Sequence, residues 1–347
     1  MSISLLAEEQ QILEQLSSKV NHAFVTGAGG FLGKAITLRL QAAGIKVTGF
    51  ARGHYPELEK IGVNMIRGDI ADQQQVLAAM EGCDIVFHVA AKAGVWGDRD
   101  SYFKPNVEGS ANIIAACKQL AIDKLVFTSS PSITFEGKDE DGIDESVPYA
   151  NEFLTFYSHS KSISERMILD ANSQSLKTVA LRPHLIWGPG DPNLIPRVLS
   201  RAKAGKLKLV GSKDKLVDTI YIDNAAYAHF LAAVDLTNEY SKSAGKAYFL
   251  SNDEPITMKA LLNQILACDG LPAVNARVPA KLAYVVGFVM EAVYKLLNKQ
   301  QEPMMTRFIA KQLSCSHYYD ISAAKRDLNY KPLISIKEGM QRLKKSL

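Results

Sequence analysis

Nine residues constrain this chain more than any others: VTGAGGFLG, positions 25–33, closing the apolar run that begins at His22 and opening a helical period near 31–43. Gly27, Gly30 and Gly33 stand at G-x-x-G-x-x-G spacing across that strand-to-helix junction. A glycine-only turn lets the backbone approach a pyrophosphate, and the free amides at the start of the following helix, where Phe31 and Leu32 lie, favour negative charge. Strand, glycine spacing and helix coincide, so a dinucleotide site is expected in place of a bare turn.

The rest of the first half keeps the same rhythm. KVTGF, NMIRG, DIVFHVA, KLVFTSS and KTVALRP read as buried strands, separated by helical periods near 72–80, 106–120 and up to about 171. Strands alternating with helices imply right-handed crossovers and a doubly wound parallel α/β sheet. After Arg182 and Pro183 the pattern breaks into RPHLIWGPGDPNLIP. The expected organisation is an N-terminal helical extension over 1–20, a nucleotide-binding domain over 21–185 to which 216–252 returns, and a smaller, discontinuous substrate region over 186–215 and 253–347. A helix within 217–233 is expected to be capped by Asp223 or Asn224.

Composition narrows the partners. With 47% hydrophobic residues in 347, the chain can bury a large core. Its net charge is only +4, and Lys and Arg are scattered, which argues against nucleic acid. Cys83, Cys117, Cys268 and Cys315 are widely spaced, without the pattern of a zinc site or a disulfide framework, so no metal is expected and a reducing cytoplasm fits. The N-terminus lacks the features of a secretory signal and reads as an amphipathic helix docked on its own domain. The run LAYVVGFVM, 282–290, is too short to span a bilayer and reads as a pocket wall, with shallow membrane contact the lesser alternative.

At the end of the second strand an acidic residue would hold a ribose hydroxyl, and a basic one a 2′-phosphate. Here the sequence is VTGFARG, so Arg52 favours NADPH over NADH. Asp69, beside Ile70 in RGDI, is placed to reach an adenine amino group or to cap the next helix, and Ala90 and Ala91 offer small side chains where the cofactor passes. Ser129 and Ser130 end the fifth strand at the carboxyl edge, and Tyr157 and Lys161, one helical turn apart, begin the next helix. A hydroxyl, a phenol and an ammonium therefore converge on one crevice.

These motifs, together with GDI at 68–70, HVAA at 88–91, PNVEGS at 105–110, YSHSK at 157–161 and RPHLIWGPGD at 182–191, resemble the extended short-chain dehydrogenase/reductases, in their 3β-hydroxysteroid dehydrogenase-like branch. Within it, AAKAGVWG, YIDNAAYAH and QLSCSHYYDISAAKRDL are similar to the 2-alkyl-3-oxoalkanoate reductases of bacterial olefin biosynthesis. The resemblance implies reduction of a β-keto acid bearing two long alkyl chains. Tyr157 would donate the proton, Ser130 hydrogen-bond the ketone oxygen, and Asn106 support the site. Pro183 would border the cofactor. Lys161 would hold the nicotinamide ribose and, with the charge of the oxidised ring, lower the phenol pKa from about 10 to about 7, which takes roughly 4 kcal/mol. Lys92, Trp96, His184 and Trp187 should border the substrate, with Lys92 or His184 receiving its carboxylate. A homodimer, and contact with a β-lactone synthetase, a condensing enzyme and a hydrolase of the same pathway, are further implications. Sterol dehydrogenation with NAD, sugar-nucleotide epimerisation and non-catalytic NADP sensing are the alternatives.

Overall fold

A computed structural model describes residues 5–347. Seven strands form the central sheet: β1 (His22–Thr26), β2 (Lys46–Ala51), β3 (Asn64–Arg67), β4 (Ile85–His88), β5 (Lys124–Thr128), β6 (Lys177–Pro183) and β7 (Lys246–Leu250). Their order is β3-β2-β1-β4-β5-β6-β7, and every neighbouring pair is parallel. β1 and β4 are buried along their whole length, as strands covered on both faces must be. The chain reverses its direction of winding between β1 and β4, which opens a crevice beyond their carboxyl ends.

Nine of the helices frame that crevice: α1 (Ala7–Ser17), α2 (Phe31–Ala42), α3 (Gly109–Gln119), α4 (Phe156–Asp170), α5 (Leu194–Lys203), α6 (Ile222–Leu236), α7 (Met258–Cys268), α8 (Ala280–Leu296) and α9 (Arg307–Ser314). On one face of the sheet, α1, α2 and α6 share a core through Leu13, Leu16, Ile36, Leu40, Ala228 and Phe230. On the other, α3 and the helix Gln73–Ala79 pack Ile113, Cys117 and Val76 against Phe24 and Phe127. The α1 helix is also pinned by charge: buried Glu9 accepts from Arg39 at 2.6 Å, and Arg39 reaches Asp223 at 2.7 Å. No helix among the described residues is long and apolar enough to cross a membrane.

The expected cap of α6 is not what the structure shows. Tyr221 is its N-cap, and Asp223 and Asn224 lie inside the first turn. Asp223 binds Arg39 and Arg342, while Asn224 ties Leu333 and Ile334 of the C-terminal segment to the helix. Ile220 and Tyr221 run as a strand straight into the helix, which leaves no loop for a capping side chain.

A second, four-stranded sheet stands beyond the carboxyl edge. Its strands are Ile256–Thr257, Leu216–Val217, His317–Tyr319 and Glu140–Ile143, in that order. The last comes from the segment between β5 and α4, so the small sheet is sewn from both halves of the chain. With α5, α7, α8 and α9 it walls a large cavity.

Candidate active site

The glycine loop is as tight as its spacing requires. Gly27 has φ +67°, and a Cβ there would lie 3.0 Å from the Ala90 Cα. A Cβ on Gly33 would stand 2.0 Å from the Gly27 carbonyl oxygen. Gly30 is the N-cap of α2 and has no side chain to engage the amides of Phe31, Leu32 and Gly33. The loop is held by the Gly27 amide, which donates to the Phe50 carbonyl at 2.8 Å.

A buried histidine fixes the neighbouring strand end. The Ser110 hydroxyl donates to the Asn106 carbonyl, so it accepts from His88 Nε2, and His88 Nδ1 then accepts from Thr26. Thr26 Oγ1 in turn accepts the amides of Val89 and Ala90. Burial holds the His88 pKa down at about 3, so the ring stays neutral and the chain of hydrogen bonds stays in one sense. Ala90 is thereby locked over Gly27, and Ala91 beside it is exposed.

At the ends of β2 and β3, register sets Ala51 beside Arg67. The Arg67 Nε donates to the Arg52 carbonyl at 3.0 Å, so two arginines stand at this edge. Arg67 escaped the reading of the sequence; strand adjacency is the signal that finds it. The Tyr55 ring covers Gly29 and Gly53 so closely that a Cβ on Gly29 would fall 2.2 Å from it. Asp69 is exposed, its carboxylate accepting only the Ala71 amide, while Asp72 caps the next helix itself. Ile70 is buried against Gly109, anchoring α3 to this loop.

The reactive groups meet where β5 ends. Ser130 caps the short turn Pro131–Ile133, and its Oγ lies 3.0 Å from Ser132 Oγ. Thr155 caps α4, whose first turn brings Tyr157 to the same cavity wall as Ser130. Burial raises the phenol pKa above 10, and the neighbouring Ser130 hydroxyl opposes that rise. Lys161 makes no contribution to this shift. The Lys161 Nζ instead donates to the Thr128 carbonyl at 2.6 Å and lies 3.9 Å from the Phe127 ring centroid, and burial pushes its own pKa down to about 7. Below it, Glu165 and Arg182 form a buried ion pair at 2.6 Å.

Asn106 stitches these parts together. Its Oδ1 accepts the Lys92 amide, its Nδ2 donates to the Lys92 carbonyl and to Ser160, and its carbonyl accepts from Ser110 and Ser164. It sits in a π-helical turn, Lys104–Glu108, whose wider winding aims it inward. Ser129 is 96% buried with an unpartnered hydroxyl and lines the cavity. A free donor there, a glycine cradle with no room for Cβ and open amides at α2 together fit a nicotinamide dinucleotide.

The cavity holds about 1090 Å³ and runs from Ser130, Tyr157 and Pro183 past Leu261, Met290 and Phe308. Of the four expected substrate contacts only His184 lines it. Trp187 is fully buried in the core, edge-on to Tyr221, because β-pairing of Ile186–Trp187 with Ile220–Tyr221 turns it away. Trp96 donates its indole N–H to the Lys299 carbonyl, and Lys92 Nζ rests over the Tyr102 ring at 4.8 Å. His184 cannot supply a cation: burial holds its pKa well below 6.5, and its Nε2 is engaged by His317 at 2.7 Å.

The model of the 3-beta hydroxysteroid dehydrogenase/isomerase family matches residues 24–280. A 2-alkyl-3-oxoalkanoate reductase of Shewanella oneidensis is 68% identical over 100% of this chain and 92% of its own. One from Stenotrophomonas maltophilia is 50% identical over 93% of this chain and 98% of its own. A decarboxylating sterol-4-alpha-carboxylate 3-dehydrogenase of Mus musculus is 32% identical over 94% and 90%. Among solved structures, the UDP-glucuronic acid 4-epimerase of Bacillus cereus with NAD superposes with a TM-score of 0.71 at 20% identity, covering 94% of this chain and 98% of that one. That last likeness is one of fold.

Proposed function

The chain belongs to the 3-beta hydroxysteroid dehydrogenase/isomerase family and is an NAD(P)-dependent oxidoreductase, and from that premise we propose that it reduces a 2-alkyl-3-oxoalkanoate to the 3-hydroxy acid with NADPH. The observation that carries the reading is that Ser130 and Tyr157 together line one end of a long, mostly apolar cavity, suited to a substrate that is a ketone attached to alkyl chains. The two reductases at 68% and 50% identity support it. A role in olefin formation rests on the same likeness.

Gly27, Gly30, Gly33 and the α2 amides would hold the pyrophosphate, Arg52 and Arg67 the 2′-phosphate, and Ser129, Lys161 and Pro183 the nicotinamide end. When bound, the nicotinamide supplies hydride to the ketone carbon. Ser130 donates a hydrogen bond to the ketone oxygen and Tyr157 gives it a proton. A phenol whose pKa burial has raised remains protonated at neutral pH, the state that reduction requires and oxidation does not. The apolar walls exclude water around the oxygen, so each hydrogen bond to it is strengthened.

A sugar-nucleotide substrate is disfavoured by the engagement of its would-be clamp: Arg197 pairs with Glu302 at 2.9 Å and Arg201 donates to the Met304 carbonyl. The sterol reading is kept alive by the cavity's size and by the mouse relative. Initial rates with NADPH and NADH against a synthetic 2-alkyl-3-oxoalkanoate, a sterol-4-carboxylate and a UDP-sugar separate the three. The keto acid with NADPH should exceed every other pair by at least about tenfold, and a preferred sterol with NAD would overturn the assignment.

A further inference from the structure

Helix α8 is amphipathic in the wrong sense for a water-facing element. Ala283 and Gly287 are its buried residues, and Gly287 is pressed so close to the next segment that a Cβ would lie 2.6 Å from the Thr306 carbonyl carbon. The outward side carries Leu282, Val285, Val286, Phe288, Val289 and Val293, each between 41% and 55% exposed. Leu296 and Leu297 extend the strip at 85% and 57%. An unbroken apolar face of this length on a helix marks a docking surface. It is also continuous with the cavity, because Leu282 and Val286 line the cavity as well.

Charge identifies what the face meets. The carboxylates in its neighbourhood are already paired, Glu291 with Arg307 at 2.8 Å and Glu302 with Arg197 at 2.9 Å. Lys281 and Lys295 at the two ends of α8, Lys299 just beyond it, and Lys206 and Lys208 on the cavity rim have no ion pair among the described residues. Trp96 and Tyr294 pack edge to face beside the C-terminal end of α8, at a ring separation of 6.1 Å. An apolar strip bordered by free cations and by amphipathic aromatic rings has the makeup of an interfacial helix, which lies in the headgroup layer of a negatively charged bilayer. A protein partner with the same apolar complement would not need five unpaired lysines around it.

We propose that α8 seats the enzyme on an anionic lipid surface, with the cavity mouth facing the acyl region so that a long-chain substrate passes from the bilayer to Tyr157 without crossing water. This route rests on the long-chain keto-acid reading; the docking itself does not. The full chain is to be floated with vesicles of phosphatidylglycerol and phosphatidylcholine, and with vesicles of phosphatidylcholine alone. Binding to the anionic vesicles should weaken with salt. Val285→Gln with Val289→Gln, and separately Lys281→Glu with Lys295→Glu, should each lower it about tenfold or more. These four residues lie outside the cavity lining, so turnover of a short, water-soluble 3-oxo acid should stay within about twofold of wild type. Turnover of the long-chain acid delivered in vesicles should fall with the binding. Failure of the wild type to float with anionic vesicles overturns the proposal, as does flotation undiminished in both variants. So does gel filtration showing a wild-type dimer that the valine variants split, because a second copy would then cover the face. Flotation without turnover of the short acid upholds docking and counts against the keto-acid reading alone.

Discussion

Lys161 shows what this site asks of single residues. Its ammonium is buried at the end of β5 with one carbonyl partner, and desolvation lowers its pKa from 10.5 to about 7. In the unfolded chain the same group holds its proton to about pH 10. Between those two values the unfolded state binds more protons, so stability contributed by this group rises with pH from about 7 towards 10. Below pH 7 the folded protein carries the full cost of a buried charge. Denaturant melts at pH 6 and pH 9.5 should show the gain in wild type and its loss in Lys161→Met. Equal gains in both would remove Lys161 as the source. Tyr157 is shifted in the opposite sense for the same reason, since burial disfavours its charged form. Neither direction was legible in the sequence, because spacing on a helix reveals that two groups are near and says nothing of how dry their surroundings are. The four-position spacing of Tyr157 and Lys161 suggested that the lysine acts on the phenol; in the protein alone the lysine turns to Thr128.

At the level of elements, patterns carried by period and by glycine were the readable ones. The strand–loop–helix of residues 22–42 follows from an apolar run and three glycines, and the structure shows why two of them cannot be exchanged. Gly33→Ala should raise the KM for NADPH at least about tenfold, with a folded circular dichroism spectrum, because its methyl would displace the Gly27 carbonyl from the cradle. Unaltered cofactor binding would show that the loop gives way more easily than its 2.0 Å contact implies. What local pattern could not deliver was adjacency across strands. Arg67 lies beside Ala51 only through the β2–β3 register, and Trp187 turns into the core only because its short strand pairs with Ile220–Tyr221. The same gap explains the misplaced cap of α6. If Arg52 and Arg67 read a 2′-phosphate, Arg52→Glu should raise the KM for NADPH by about tenfold or more and leave that for NADH little changed. A parallel loss for both cofactors would contradict a phosphate role.

For the molecule as a whole, the division of labour follows from where the sheet reverses its winding. The seven-stranded sheet brings a glycine cradle and a serine–tyrosine pair to one edge, and the smaller sheet with α5, α7, α8 and α9 closes a deep apolar space over that edge. The alternation of strands and helices made the first part legible. Of the second, a discontinuous region and the apolar wall at 282–290 were legible, but its sheet was not, because the strands are two to four residues long and come from four separate stretches of chain. Chemistry at this scale has one central requirement, a phenol that hands its proton to a ketone oxygen inside a dry cavity. The most direct measurement is the rate of NADPH consumption with a 2-alkyl-3-oxoalkanoate in wild type and in Tyr157→Phe, alongside NADPH binding by fluorescence. Removing the hydroxyl should lower kcat by about 10²–10⁴-fold and leave the Kd for NADPH within about twofold. A Tyr157→Phe enzyme that turns over at the wild-type rate would contradict the account.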